Sequence, residues 1–439
     1  MKKTIYFSGA ILILLVFIFE NCGSRSSCPA YGYAGSERIT ERRLYPWNSN
    51  KPSKSADMVS SSESYDSIPE NNFIFSEEEP VSTFSADVDR ASYSNIRRFL
   101  TSGQKPPSDA VRIEEMINYF HYDYEQPKEN DPVKIVTELA ECPWNEGNQL
   151  LLVALQGKNI SYENLPASNL VFLVDVSGSM NSPDRLPLLK SSFELLVNNL
   201  RAKDKISIVV YAGAAGLVLP ATNGNEKTKI MEAINNLSAG GSTAGGAGIN
   251  LAYSVAQANF IAGGNNRVIL ATDGDFNVGV SSDSAMETLI VDKRKSNIFL
   301  TCLGFGRGNL KDSKMEKLAD KGNGNYSYID NINEAKKVLI TEFGGTMYAI
   351  AKDVKIQIQF NSENVKAYRL IGYENRMLRK EDFTDDKKDA GEMGSGHTVT
   401  AIYEIIPAGI QSVYIKDEQG IKKRNQDPLE KIDRINMGV

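Results

Sequence analysis

From Asn169 onward the apolar and polar positions of this chain alternate between two periods. Leu170 to Val176 is an apolar run broken only by Asp175, as expected of a strand buried on both faces. Leu186 to Leu200 repeats its apolar residues at helical spacing. Ile206 to Tyr211 predicts a second strand and Leu217 to Pro220 a short third. Helical patterns at Ile230 to Leu237 and Ile249 to Phe260 lead to a fourth strand, Val268 to Thr272. A helix over Ala285 to Lys295, a strand over Ile298 to Gly304, a helix over Met315 to Ala319 and a short strand over Tyr326 to Ile329 follow. Glu334 to Ile350 reads as a closing helix. Strands alternating with helices predict an α/β fold: a doubly wound, mainly parallel sheet with helices on both faces.

The pattern differs on either side. Upstream, Ala91 to Leu100 predicts a short helix. Ser108 is placed to cap a second helix, whose Ile113, Met116, Ile117 and Phe120 share one face. Val133 to Leu139 and Gln149 to Gln156 read as strands joined by a turn at Pro143 to Gly147. Downstream, Val354 to Phe360, Val365 to Tyr373 and Thr398 to Ile406 read as strands, Val413 to Lys416 as a further one, and the charged segment Lys380 to Gly396 as a loop. Each flank holds too few strands for a stable sheet of its own. Because domain termini usually lie close together, the two flanks are expected to form one β-rich domain into which the α/β domain is inserted. Two separate small lobes are the alternative. Residues 22–75 are rich in Ser, Pro, Asn and charge, a composition that predicts a disordered tether, with order beginning near Val81. The expected division is 1–21 leader, 22–75 tether, 76–167 N-terminal α+β flank, 168–350 α/β domain and 351–439 C-terminal β-rich flank.

Composition narrows the chemistry. The 439 residues carry a net charge of −6, which gives no reason to expect nucleic acid as a partner. With two histidines, His121 and His397, a His-rich metal site or a Ser-His-Asp triad is poorly supplied. At the N-terminus Lys2 and Lys3 precede an apolar run, Ile5 to Phe19, and then Cys22. The run is short for a bilayer span, which needs about 20 residues, and suits a secretory leader. It resembles a bacterial lipoprotein signal, which implies cleavage before Cys22 and acylation of its thiol. Asn21 stands where a small residue is usual, so a plain secretory signal or an uncleaved anchor stays open. The other cysteines, Cys28, Cys142 and Cys302, are odd in number and predict no complete disulfide framework. Cys302 lies in a strand pattern and reads as a small core residue.

The first α/β strand runs into Asp175-Val176-Ser177-Gly178-Ser179, three oxygen side chains at alternate positions in one tight loop. Asp273 leaves the end of another buried strand, and Thr243 lies in the glycine-rich stretch from Gly240 to Gly248. No Gly-Lys-Ser/Thr follows those glycines, so the stretch is not a P-loop. Ligands of doubly wound sheets bind at the carboxyl ends of strands, and these three places can converge there. Asp175, Ser177, Ser179, Thr243 and Asp273 together resemble the metal-ion-dependent adhesion site of von Willebrand factor type A domains, over roughly Asn169 to Ile350. That resemblance implies Ser177, Ser179 and Thr243 as direct ligands, with Asp175 and Asp273 acting mostly through bound water. Stretches at 82–89 and 109–120 look like the N-terminal region of bacterial lipoproteins described as homologues of calcium-activated chloride channels.

Mg²⁺ takes oxygen ligands at about 2.1 Å and keeps several waters; Mn²⁺ or Ca²⁺ suits the same donors. The expected function is that of a non-catalytic cell-envelope lipoprotein, facing the periplasm or the exterior and held to the membrane by its lipid anchor, whose metal grips an acidic group of a protein partner. A metal-dependent hydrolase is the alternative in another class, and would need a base and more direct carboxylates than the pattern offers. A structural envelope scaffold with an empty or purely structural metal site is the third reading. Asp275 reads as a solvated loop residue.

Overall fold

The computed structural model describes residues 63–128, 131–241, 245–274, 283–385, 390–412, 414 and 432–438. The leader, Cys22, most of the predicted tether, Thr243, Asp275 and all of the predicted strand at Val413 to Lys416 except Tyr414 lie outside the described residues. The N-terminal flank supplies β1 (Ile74–Phe75), β2 (Val81–Ser85), β3 (Val133–Glu141) and β4 (Gln149–Gly157). The middle of the chain supplies β5 (Ser168–Asp175), β6 (Lys205–Tyr211), β7 (Ala215–Asn223), β8 (Asn265–Thr272), β9 (Phe299–Phe305) and β10 (Tyr326–Ile329). The C-terminal flank supplies β11 (Ala349–Phe360), β12 (Val365–Ile371), β13 (Met377–Leu378), β14 (Gly391–Gly394), β15 (Thr398–Pro407) and β16 (Ile432–Gly438).

The central sheet has the order β10-β9-β8-β5-β6-β7. All its pairings are parallel except that of β7, which runs antiparallel to β6 at the edge. Strand alternation divides β5 between two cores. Leu170, Phe172 and Val174 pack with Leu189 and Phe193 of the helix Leu186–Asn199. Val171 and Leu173 pack with Ile249, Ala252 and Tyr253 of the helix Gly245–Ala258 and with Met315 and Leu318 of the helix Asp312–Lys321. Burying one such side chain stabilises by about 1.5–3 kcal/mol, which is why the middle of this strand, covered on both faces, is apolar from Leu170 to Val174. The predicted doubly wound, mainly parallel sheet is present, and β5 sits at its centre.

The flanks interleave. One sheet has the order β1-β12-β15-β4-β3, and the other β13-β2-β11-β14, with β16 also on β11. β4 pairs with β15 from Gln149↔Ile405 to Gln156↔Thr398, and β2 pairs with β11 from Val81↔Gln359 to Ser85↔Lys355. Phe84, Val354, Ile356 and Ile358 of one sheet share a core with Val153, Leu155, Val399 and Tyr403 of the other. The two flanks thus make a single β-rich body around the inserted α/β domain, not two lobes.

Four local expectations are corrected. Order reaches back beyond Val81: Glu63 pairs with the Arg98 guanidinium at 2.8 and 2.9 Å, and Asn95 donates to the Tyr65 hydroxyl. Charge pairing orders a segment too poor in aliphatics to order itself by burial. Ser108 caps nothing; it opens a short 3-10 turn, and the helix that follows is Ile113–Asn118, with Arg112 at its start. That helix buries Glu114, Glu115 and Asn118, while Ile113 is exposed. The predicted helix from Glu334 to Ile350 is broken into Ile332–Lys336, a π turn at Lys337–Thr341 and a short helix Phe343–Met347. Glu342, held between Arg90 and Lys337, marks the break, and β11 starts at Ala349. The predicted loop from Lys380 to Gly396 contains β14, which pairs with β11. Among the described residues no helix is long and apolar enough to cross a membrane.

Candidate metal centre

Asp175 is the last residue of β5 and is fully buried. Register places it opposite Tyr211, the last residue of β6. Its Oδ1 accepts the Ser177 backbone N–H at 2.8 Å, and its Oδ2 accepts the hydroxyls of Tyr211 at 3.1 Å and Thr272 at 3.0 Å. Burial pushes its carboxyl up; the Ser177 and Thr272 bonds oppose the shift and the Asp273 charge adds to it. Burial, then the Asp175 charge, raises the Tyr211 phenol well above its usual range, so Tyr211 is a donor here.

After Asp175 the chain turns through Ser177 into a short 3-10 turn, Gly178–Asn181. The Ser177 and Ser179 hydroxyls lie 3.0 Å apart. Two loops are laced together here: Gly178 N–H donates to the Gly241 carbonyl at 3.2 Å, and Gly240 N–H to the Val176 carbonyl at 2.7 Å. The start of the glycine-rich stretch is thereby held against the Ser177 loop, although Thr243 itself lies outside the described residues.

Asp273 follows β8 and is fully buried. Arg185, which starts the helix Leu186–Asn199, reaches Asp273 Oδ2 at 2.9 Å and donates from the same nitrogen to the Ser179 carbonyl. Its other terminal nitrogen donates to the Arg307 carbonyl at 2.7 Å and to Asn309 Oδ1 at 2.9 Å. Gly306 makes room for it, since a Cβ there would lie 2.2 Å from Arg185 Nε. Of the sequence-predicted site residues, Asp175, Ser177, Ser179 and Asp273 are therefore brought together at the carboxyl ends of β5 and β8. Sequence reading missed Tyr211, Thr272 and Arg185. Tyr211 and Thr272 each end a strand next to β5, a signal visible in the pattern; Arg185 carried none.

The donors fit a hard divalent cation. They are all oxygen, as such ions require. Two cis ligands of an octahedron with bonds of about 2.1 Å lie about 3.0 Å apart, which the Ser177–Ser179 hydroxyl pair matches. Two buried carboxylates supply negative charge that the neutral hydroxyls do not. The histidines take no part: His121 lies beyond the helix Ile113–Asn118. His397 pairs through its backbone with Gly157 and is buried, its pKa pushed down to about 3 by that burial.

A second set of charges, buried or half-buried, lies elsewhere, where the α/β domain meets its flanks. Arg112 pairs with Glu115, with Asp312 at 2.6 Å and with Glu316 at 3.6 Å. Arg376 pairs with Asp320 at 2.5 Å, Asp87 at 3.2 Å, Asp89 at 3.3 Å and Glu316 at 3.6 Å. Burial raises the carboxyls of Asp89, Glu115 and Glu316, that of Glu115 to about 7.

The chain is similar to several known proteins and family models. Residues 169–340 match the family model described as von Willebrand factor type A domain. Residues 59–152 match one described as von Willebrand factor, and residues 345–436 one described as the C-terminal region of uncharacterized protein YfbK. The chain is 49% identical over 333 residues to the Escherichia coli (strain K12) protein named uncharacterized protein YfbK, a match covering 74% of this chain and 58% of that protein. It is 28% identical over 188 residues to an uncharacterized Synechocystis protein, covering 42% of this chain and 43% of the relative. The chain thus spans between two fifths and three fifths of the length of the curated relatives it matches. Among solved structures it is similar to a von Willebrand factor type A protein from Catenulispora acidiphila, at 16% identity and a TM-score of 0.42, over 65% of this chain and 67% of that one.

Proposed function

Because the chain carries a von Willebrand factor type A domain over residues 169–340, we propose that it is a non-catalytic, cell-envelope binding protein whose strand-end site captures an acidic group of a protein partner through a divalent metal. The observation that carries this reading is the hydroxyl pair Ser177–Ser179, 3.0 Å apart, between two fully buried carboxylates, Asp175 and Asp273. Mg²⁺, or Mn²⁺ or Ca²⁺ in its place, would supply a Lewis-acidic position that an incoming carboxylate oxygen can occupy. Ser177, Ser179 and Thr243 would hold it directly. Asp175 and Asp273 would act from behind through water, leaving the cation electrophilic.

The chain's own bonds support this division of labour. Both Asp175 oxygens are already engaged by Ser177 N–H, Tyr211 and Thr272, which fixes the carboxylate and disposes it to act at one remove. Arg185 holds Asp273 to the Ser179 loop, so the guanidinium and a metal would share one acid. A hydrolase would need a general base beside the metal; among the described residues the two carboxylates at the site are already engaged, Asp175 by Ser177, Tyr211 and Thr272 and Asp273 by Arg185.

Acylation at Cys22 after the leader would tether the domain to a membrane, facing away from the cytoplasm. Two tests follow. Envelope extract passed over immobilised protein in Mg²⁺ should yield a partner that chelator releases and that Asp175→Ala fails to retain; retention unchanged in chelator contradicts the reading. Radiolabelled palmitate should enter the wild type and not Cys22→Ser, and equal labelling contradicts the anchor.

A further inference from the structure

Arg185 holds Asp273, and part of what holds Arg185 comes from a loop outside the site. Its Nη1 meets Asp273 and the Ser179 carbonyl, and its Nη2 meets the Arg307 carbonyl and Asn309 Oδ1. Its buried Nε has no hydrogen-bond partner among the described residues, so the terminal nitrogens carry the whole anchorage. Arg307 and Asn309 belong to residues 306–311, between β9 and the helix Asp312–Lys321. This loop also packs directly on the site. Gly274, next to Asp273, has φ +98°, and a Cβ there would stand 2.6 Å from the Lys311 backbone nitrogen and 2.9 Å from Leu310 Cα.

The N-terminal flank pins the same loop. Glu63 Oε1 accepts the Gly308 N–H at 2.7 Å. Ser64 N–H donates to the Leu310 carbonyl at 3.1 Å, in a parallel bridge of Ser64 with Lys311. Glu63 is itself fixed: its two oxygens accept from the Arg98 guanidinium at 2.8 and 2.9 Å, and Oε2 also accepts from the Tyr65 hydroxyl at 2.9 Å. The Glu63 and Arg98 side chains are only 5% and 6% exposed, so this is not a screened surface pair. The Arg98 guanidinium also lies 5.4 Å from the ring centre of Tyr328, whose hydroxyl donates to the Gly306 carbonyl at 2.7 Å. A continuous set of contacts therefore runs from Glu63 through residues 306–311 and Arg185 to Asp273.

We propose that Glu63 is a positioning residue for the strand-end site: by fixing residues 306–311 it keeps the Arg185 guanidinium on Asp273, in competition with a metal. The inference rests on the metal reading given above. An incoming dication repels the guanidinium, and Arg185 yields only as far as Arg307 and Asn309 let it go. With the loop pinned by Glu63 the guanidinium stays and competes for Asp273. With the loop released it moves off at less cost, and the metal binds more tightly. A side chain of the β-rich body thereby sets the affinity of a site in the inserted α/β domain.

The test is Mn²⁺ titration of the full chain carrying Glu63→Ala, Arg185→Gln or both, together with hydrogen exchange of the metal-free proteins read by mass spectrometry. Glu63→Ala should tighten Mn²⁺ binding about threefold or more. It should add nothing in the Arg185→Gln background, a non-additivity that a general loosening of the fold would not give. Without metal it should speed exchange at residues 306–311 and, beyond them, at 179–185. Asn309→Ala cuts one bond from the loop to Arg185 and leaves Glu63 in place; it should tighten binding in the same direction, and it serves if Glu63→Ala does not fold. If wild type binds no Mn²⁺ while exchange still spreads from 306–311 to 179–185, the positioning role stands and the metal reading falls. Unchanged or weaker Mn²⁺ binding in Glu63→Ala and Asn309→Ala, an equal effect of Glu63→Ala with and without Arg185, or faster exchange confined to 306–311 overturns the proposal.

Discussion

The carboxylate of Asp175 at the strand ends and those of the seam around Arg112 and Arg376 are held by different means, although Asp273 beside Asp175 also meets a guanidinium, that of Arg185. At the strand ends Asp175 is met by hydroxyls and a backbone N–H, groups that carry no net charge and leave its negative charge available to a cation. At the seam, Asp87, Asp89, Glu115, Asp312, Glu316 and Asp320 divide two guanidinium groups among them. The first arrangement is suited to receiving a metal and the second to joining two bodies. A buried acid is therefore read by what already holds it, not by its burial.

The seam gives the largest expected effect. Arg112→Met removes the cation from Glu115, Asp312 and Glu316 without removing the acids, and breaking a buried pair in this way costs about 3–5 kcal/mol. Urea denaturation should show that loss. A change below about 1 kcal/mol, the range of exposed ion pairs, would mean that the seam is not a structural joint.

The next effect is in pH. Burial raises the Glu115 carboxyl to about 7 from an ordinary 4.5. A folded-state pKa above the unfolded one contributes stability that is full below about 4.5 and is lost as pH rises through about 7. Buried His397, pushed down to about 3, acts in the other direction, since its neutral form is favoured and acid between pH 6.5 and 3 costs stability. Glu115→Gln separates the two. The melting temperature of wild type relative to this variant should fall as pH is raised from about 5 to 8, and a constant difference would contradict the assignment.

A smaller effect is expected at the strand ends. Arg185→Gln withdraws a positive charge from Asp273, at the cost of the link to the Ser179 loop. The net result should be tighter divalent-metal binding by about tenfold, worth ~1.4 kcal/mol, because removing a like charge from beside a dication outweighs one loop contact. Fluorescence or calorimetric titration with Mn²⁺ measures it, and weaker binding would make Arg185 an organiser of the site, not a competitor.

The same contrast explains what was legible in the sequence. β5 and β8 could be read from their apolar runs, Leu170 to Val174 and Val268 to Ala271, and Asp175 and Asp273 because they stand just beyond those runs at the carboxyl ends of the strands. Tyr211 and Thr272 looked like ordinary strand residues; register made them partners of Asp175. The seam was invisible because its charges come from positions as far apart as Asp87 and Arg376. It even inverted a helix: Ile113, Met116 and Ile117 promised an apolar inner face, yet ion pairing of Glu115 and the hydrogen bonds of Asn118 to Thr400 and Tyr373 turned the polar face inward. The break after Lys336 was missed for a similar reason, since Glu342 is held by Arg90, a residue of the distant N-terminal flank.

The divalent-cation site proposed at the strand ends is open to direct measurement. Calorimetric titration of Mg²⁺ and Mn²⁺ into wild type and Asp175→Asn, with thermal melts of both without metal, addresses it most directly, because Asn keeps the size of Asp175 and an acceptor for Ser177 N–H while removing the charge. One saturable site is expected in wild type, lost or weakened at least about a hundredfold in the variant, ~2.7 kcal/mol, with closely similar melts. No saturable site in wild type, or undiminished affinity in Asp175→Asn, would contradict it.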